Sequence, residues 1–269
     1  MERWKSGKSS DRKRELALAE DYLNRAIELQ TKFQQLETLA ISLNNLAGLY
    51  RRMGKYTKAE PLYVQSLAII EKQLGANHPN TAISLNNLAG LYQEIGRYEQ
   101  AEPLYVQSLA INEVQLGVNH PATAISLNNL ARLYQAIGRY DQAEPLYLQA
   151  LAIIEEQLGA NHPDTAASLN NLAGLYQEIG RYDQAEPLYL QSLAINEVQL
   201  GTNHPDTAAS LNNLAGLYES IGRYTEANSL YAQALEICDR SLGSEHPQTK
   251  IVQDNYAQSK KDSESRENS

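Results

Sequence analysis

Ten asparagines carry most of the chemistry this sequence could do. They stand in pairs, Asn44/Asn45, Asn86/Asn87, Asn128/Asn129, Asn170/Asn171 and Asn212/Asn213, each pair 42 residues after the last. A side-chain amide offers both a hydrogen-bond donor and an acceptor. A row of amides can therefore pair with the N–H and C=O groups of an extended peptide without reading its sequence. The other candidate groups point away from catalysis. All five histidines, His78, His120, His162, His204 and His246, precede a proline. A metal site needs several such ligands to converge, whereas successive histidines lie one repeat apart, roughly 10 Å at helix packing distances. Turn capping is the expected role. Glu155 and Glu156 are sequential on a helix and so do not face one point. No nucleophile–base pair, glycine-rich phosphate loop or Cys/His cluster is present. Neither an enzyme, nor a metal, nor a cofactor is expected.

What must position the asparagines is a repeat. Each pair sits inside Leu-Asn-Asn-Leu-Ala, beginning at Leu43, Leu85, Leu127, Leu169 and Leu211. A fixed period of this length marks a stacked array, which makes an extended surface instead of one pocket. Within the unit 81–122, Leu85, Leu88, Ala89, Tyr92 and Ile95 recur at spacings of three and four, so Thr81–Ile95 reads as a first helix, A. Gly96 is placed to end it with positive φ. A second helix, B, runs from Tyr98 to about Leu116 and is closed by Gly117. Pro61, Pro103, Pro145 and Pro187 are expected near the start of helix B, where proline costs little. Small residues such as Ala89, Ala101 and Ser108 allow close approach, and Leu88, Tyr92, Tyr98 and Tyr105 fill the space between helices. Fifteen of the 17 tyrosines fall at three repeated positions, headed by Tyr50, Tyr56 and Tyr63, and are read as core with the hydroxyl reaching a rim partner.

The expected architecture is all-α, with five helix–turn–helix units over 38–245. Partial units flank them: a lone helix B-like segment over 15–37 and a capping helix over 246–259. In that last helix Gln253 and Asp254 replace the Leu and first Asn, and Tyr256 the second Leu. The basic head 1–14 (Arg3, Lys5, Lys8, Arg12, Lys13 and Arg14) is expected to be a disordered, solvated lead-in, and 260–269 a disordered tail. The net charge of −9 argues against nucleic acid as a partner. No run approaches the roughly 18 apolar residues of a membrane span, and no apolar leader precedes the array. Cys238 is the single cysteine, which excludes a disulfide framework and suits a reducing, cytoplasmic setting.

The residues Leu88-Ala89, Tyr92, Gly96, Tyr98, Ala101, Tyr105 and Ser108 resemble the tetratricopeptide repeat. The 42-residue unit, with Leu-Asn-Asn-Leu-Ala-x-Leu-Tyr, Gly-Arg-Tyr, Ala-Glu-Pro-Leu-Tyr and His-Pro, is similar to the kinesin light chain type of that repeat. The likeness covers about 16–258. It implies a right-handed α-solenoid superhelix whose A helices line a concave groove, and asparagines there that contact a peptide backbone. The heptad coiled coil of true kinesin light chains has no counterpart here. The alternation of Ala-Ile-Ile-Glu at 68 and 152 with Ala-Ile-Asn-Glu at 110 and 194 suggests duplication of a two-hairpin block. Bacterial arrays similar to kinesin light chain repeats are therefore the expected relatives.

On a helical wheel Leu85, Leu88, Ala89 and Tyr92 share one side, and Ile83, Asn86, Asn87, Gly90, Gln93 and Glu94 the other. The second stripe is the expected inner wall. One asparagine of each pair could instead bond only a neighbouring helix. Gly48, Gly90, Gly174 and Gly216 leave room either for a ligand backbone or for close helix packing. Arg51, Arg52 and Arg132 are candidates for a ligand carboxylate, with a solvated surface role as the alternative. The expected function is a scaffold that holds an extended peptide or partner segment. A self-associating array, through the open ends of the stack, and a sensor module of a larger regulator are the alternatives.

Overall fold

The computed structural model describes the backbone of residues 2–267 and the side chains of residues 16–266. Among the described residues it holds twelve helices and no strand: α1 (Glu2–Lys32), α2 (Leu36–Arg52), α3 (Tyr56–Leu74), α4 (Pro79–Glu94), α5 (Tyr98–Gln115), α6 (Pro121–Ala136), α7 (Tyr140–Leu158), α8 (Pro163–Glu178), α9 (Tyr182–Gln199), α10 (Pro205–Ser220), α11 (Tyr224–Ser241) and α12 (Pro247–Glu267). Helices α2 to α11 form five consecutive A–B hairpins. The chain divides into two compact bodies, one over Ser10–Ile153 and the other mainly over Ile154–Ser269.

Local chemistry sets each hairpin. His78 is extended (φ −84°, ψ 145°), and its Nδ1 accepts the N–H of Asn80 at 3.1 Å. Pro79 follows as the first helical residue, where its missing N–H is no loss. Thr81 Oγ1 donates to Gly75 O at 2.8 Å and folds the loop onto the helix. The same cap recurs at His120, His162, His204 and His246. Helix A ends in a Schellman motif: Gly96 takes φ 75°, Arg97 N–H donates to Tyr92 O at 2.8 Å, and Gly96 N–H donates to Gln93 O. The prolines of helix B fall in its second turn, later than expected, since Pro103 is the sixth residue of a helix that starts at Tyr98. Each removes one backbone bond from the helix.

The hairpins stack through Leu, Ala and Tyr. Ala89 of α4, Ala101 and Tyr105 of α5, and Leu130 and Leu133 of α6 form one buried cluster. Ser108 Oγ on α5 donates to Ala82 O on α4 at 2.9 Å and locks the pair. The tyrosine hydroxyls reach rim partners. Tyr105 donates to Gln93 at 3.0 Å, and Tyr134 to Glu102 at 3.2 Å. Glu102 also pairs with Arg139, whose guanidinium lies over the Tyr134 ring. The Tyr98 series differs in part from expectation. Tyr98 and Tyr182 are 36% and 37% exposed, whereas Tyr56, Tyr140 and Tyr224 are partly buried and Tyr56 packs against the core of the first hairpins.

Both terminal helices run further than expected. Between Glu2 and Lys32 there is no proline and a single glycine, Gly7, so the backbone of the head is continuous with the partial unit. The side chains of Arg3 to Arg14 lie outside the described residues. Helix α12 passes 259 and reaches Glu267, and its second half still has a partner, since Arg266 lies over the Tyr224 ring. Among the described residues no helix is long and apolar enough to cross a membrane.

Burial pushes the hydroxyls of Tyr105, Tyr189 and Tyr231 above the ordinary tyrosine range. A raised folded-state value means that the unfolded chain ionises first. The stability these groups contribute is therefore complete below about pH 10 and is lost as pH rises beyond it. The urea midpoint is expected to be flat from neutral pH to about pH 9.5 and to fall steeply above about pH 10. Tyr189→Phe should flatten that fall. A midpoint that stays level in strong alkali would contradict this.

Candidate functional site

Helix A presents the two asparagines of a pair 100° apart, and the structure gives them different surroundings. The first of each pair turns toward the next hairpin. Asn86 Nδ2 donates to Ser126 Oγ at 3.1 Å, and Asn170 Nδ2 to Ser210 Oγ at 3.2 Å. The Oδ1 atoms of Asn86 and Asn170 are buried. Asn44 and Asn212 are acceptors in the same direction, from Asn87 Nδ2 at 2.9 Å and Asn255 Nδ2 at 3.0 Å. Asn128 holds the matching place on α6 and is half-buried. These amides join neighbouring hairpins.

The second of each pair is turned further toward the open face, although Asn87 and, on α12, Asn255 also donate Nδ2 to the first asparagine of the preceding unit. Asn45 and Asn171 are exposed, and Asn87, Asn129 and Asn213 are partly exposed. Within the first body Ile41, Ile83 and Ile125 precede Asn45, Asn87 and Asn129 by four residues, hence on the same face. These isoleucines are exposed by 57%, 56% and 56%. Apolar side chains this exposed serve no core. Ala167 and Ala209 take their place in the second body.

In the first body this face opens into a cavity of about 580 Å³ lined by Asn44, Asn45, Gly48, Arg51, Arg52, Tyr63, Asn87 and Glu94, with Ala19 and Leu23 of α1. Five candidate binding residues, Asn44, Asn45, Asn87, Arg51 and Arg52, therefore meet here. The two arginines are unlike each other. Arg51 crosses the groove to Glu94 at 2.6 Å, passing where a Cβ on Gly90 would lie 2.9 Å from its Nη1. Burial alone would lower the Arg51 pKa, but the hydrogen bond and charge of Glu94 raise it overall. Its charge is thus already matched inside the protein. Arg52 is exposed and has no ion pair among the described residues. Arg132, on α6, donates from Nη2 to Asn129 Oδ1 at 3.3 Å, which steadies an amide of the outward row.

Three features escaped the sequence reading. Glu94 neutralises Arg51. Asn255 continues the outward row on α12, and the period alone would have placed it, since 213 plus 42 is 255. Asn112 and Asn196, the odd residues of the alternating blocks, are buried and donate to Ser126 Oγ at 2.9 Å and Ser210 Oγ at 3.0 Å. The equivalent positions hold Ile70, Ile154 and Cys238. Cys238 is fully buried, and burial with the nearby Asp239 charge pushes its thiol pKa up. The interfaces after helix B thus alternate between polar and apolar.

The comparisons agree with this geometry. The family profile described as the tetratricopeptide repeat matches in overlapping segments, 38–113, 89–156, 123–197, 164–240 and 206–264. The chain belongs to the tetratricopeptide repeat family. Solved structures of the kinesin light chain kind are among those it resembles. BtubC (BKLC) from P. vanneervenii is 26% identical with a TM-score of 0.68, over 87% of this chain and 93% of that one. The nearly identical TPR-like repeats of a Podosopora anserina chain assigned to the kinesin light chains are 34% identical with a TM-score of 0.62, over 77% and 98%. No curated protein sequence matches. Repeats of this family generally serve protein–protein interaction.

Gly90 gives Arg51 its path, but Gly48 and Gly174 are not demanded by packing. A Cβ on Gly48 or Gly174 would meet its nearest neighbour, a tyrosine hydroxyl, at 3.4 Å or 3.5 Å, an ordinary contact. Glycine in a helix interior costs about 1 kcal/mol relative to alanine. Gly174→Ala is expected to stabilise the protein by up to about 1 kcal/mol in urea unfolding. Destabilisation would show that close packing, not room on the outer face, retains the glycine. Asn112→Ala, which strips a buried bond from Ser126, should instead cost about 1–3 kcal/mol.

Proposed function

We propose that the chain is a non-enzymatic scaffold that holds an extended peptide or partner segment along its A helices. The observation that carries this reading is the paired row of Asn45, Asn87 and Asn129 with Ile41, Ile83 and Ile125 on one open face. The amides supply donors and acceptors for a peptide main chain, and the isoleucines supply apolar contact for alternate side chains of an extended strand. Arg52 offers the unmatched cation for an acidic group on the bound segment. Arg51 is assigned a different part: with Glu94 it shapes the groove and does not face the ligand. Asn86 and Asn170 likewise hold hairpins together. Arg132 orients Asn129. In the second body Asn171 and Asn213 form an amide row of their own with smaller neighbours, so the strongest hold is assigned to the first body.

The test begins with peptides selected from a random display library on the intact chain, and their affinities measured by fluorescence anisotropy. Combined replacement of Asn45, Asn87 and Asn129 by alanine removes several hydrogen bonds worth about 1 kcal/mol each, so affinity should drop by about two orders of magnitude. The melting temperature should fall only slightly, because Asn45 is exposed and the other two changes remove just the Asn87–Asn44 and Arg132–Asn129 bonds at partly exposed positions. Undiminished affinity in the triple variant would sink the reading.

A further inference from the structure

We propose that the outward face of α1 is a self-association surface, occupied by α1 of a second copy of this chain packed antiparallel to it. Helix α1 is apolar on two sides. Leu16, Ala19, Leu23 and Ile27 pack into the core of the first hairpins. On the other side Leu18, Tyr22, Leu29 and Phe33, the last in the turn just past the helix with its N–H still donated to Leu29 O, stand 47%, 67%, 56% and 64% exposed. At 100° per residue these four lie within an arc of about 60°, a single continuous ridge. Concentrated exposed apolar surface of this kind marks an interaction site. The last helix is different, with Ile251 the sole large exposed hydrophobic residue of α12 among those described.

Spacing and charge select the occupant. The ridge positions 18, 22, 29 and 33 are symmetric about a point between residues 25 and 26. A second α1 running antiparallel through that point sets Leu18 against Phe33 and Tyr22 against Leu29, each contact occurring twice. Along one flank of the ridge the charges alternate: Asp21, Arg25, Glu28, Lys32. A parallel two-fold copy carries its own charged flank to the opposite side of the pair, so the charges do not meet. The antiparallel copy brings Asp21 within two residues, about 3 Å of helix rise, of Lys32 of the second copy, and Arg25 as near to its Glu28. The two Arg25 side chains flank the axis, each already held by Asp21 of its own helix at 3.1 Å. A ridge of four side chains is small beside the roughly 1,600 Å² of a standard interface, so association belongs in the micromolar range.

Sedimentation equilibrium of the full chain across that range is the test. A monomer–dimer equilibrium is expected for the wild type. The double substitution Tyr22→Glu and Leu29→Glu should leave a monomer with an unchanged melting curve, because both side chains are exposed. Glu28→Arg alone should weaken the dimer several-fold, and adding Arg25→Glu should restore it. A wild type that stays monomeric throughout overturns the proposal. So does a dimer indifferent to the Tyr22/Leu29 substitutions, which would place the contact elsewhere. A charge swap without recovery overturns the antiparallel arrangement. The ridge shares no residue with the amide row, so this inference and the peptide-binding reading can fail separately.

Discussion

Everything in this protein depends on the inability of one helical hairpin to bury its own apolar surface. A pair such as α4 and α5 covers one side of each helix and leaves the other open to water. Stacking the next hairpin on it brings Ala89, Tyr105, Leu130 and Leu133 into one cluster. Stacking also fixes which atoms on helix A remain available. Asn86, next to Leu85, faces the following hairpin and reaches Ser126, whereas Asn87, next to Leu88, faces the preceding hairpin and the open side of the helix. The division between Asn86 and Asn87 follows from these contacts.

The joints are not uniform. Asn112 and Asn196 meet Ser126 and Ser210 inside two of them, while Ile70 stands at the corresponding place in another. In near-identical repeats, hydrophobic contact alone would accept a hairpin in the wrong order. Buried amides that need a specific partner penalise such shifts, since an unmade bond leaves a desolvated polar group. The alternation thus has a physical use that is separate from any ligand.

Much of the fold was legible in the sequence. The 42-residue period fixed the number of hairpins, Gly96 and its equivalents fixed the turns, and the His-Pro dipeptides fixed the helix starts. The site was legible only in part. A wheel separates the Leu/Ala/Tyr side from the side that carries Asn86 and Asn87. It cannot tell which of those two meets the next hairpin, because that depends on how far the stack rotates between units. The pairing of Arg51 with Glu94 links residues 43 apart and needs both the stacking and the open space above Gly90. The longer α12 brings Arg266 over the Tyr224 ring, a contact between helices that composition does not show.

The central claim is the division of labour within each asparagine pair. Side-chain amide resonances report it directly. In a ¹⁵N-labelled sample titrated with a selected peptide, the Nδ2 signals of Asn45, Asn87 and Asn129 should shift, while those of Asn86 and Asn170 stay in place. Equal shifts in both members of a pair, or shifts confined to Asn86 and Asn170, would contradict the account.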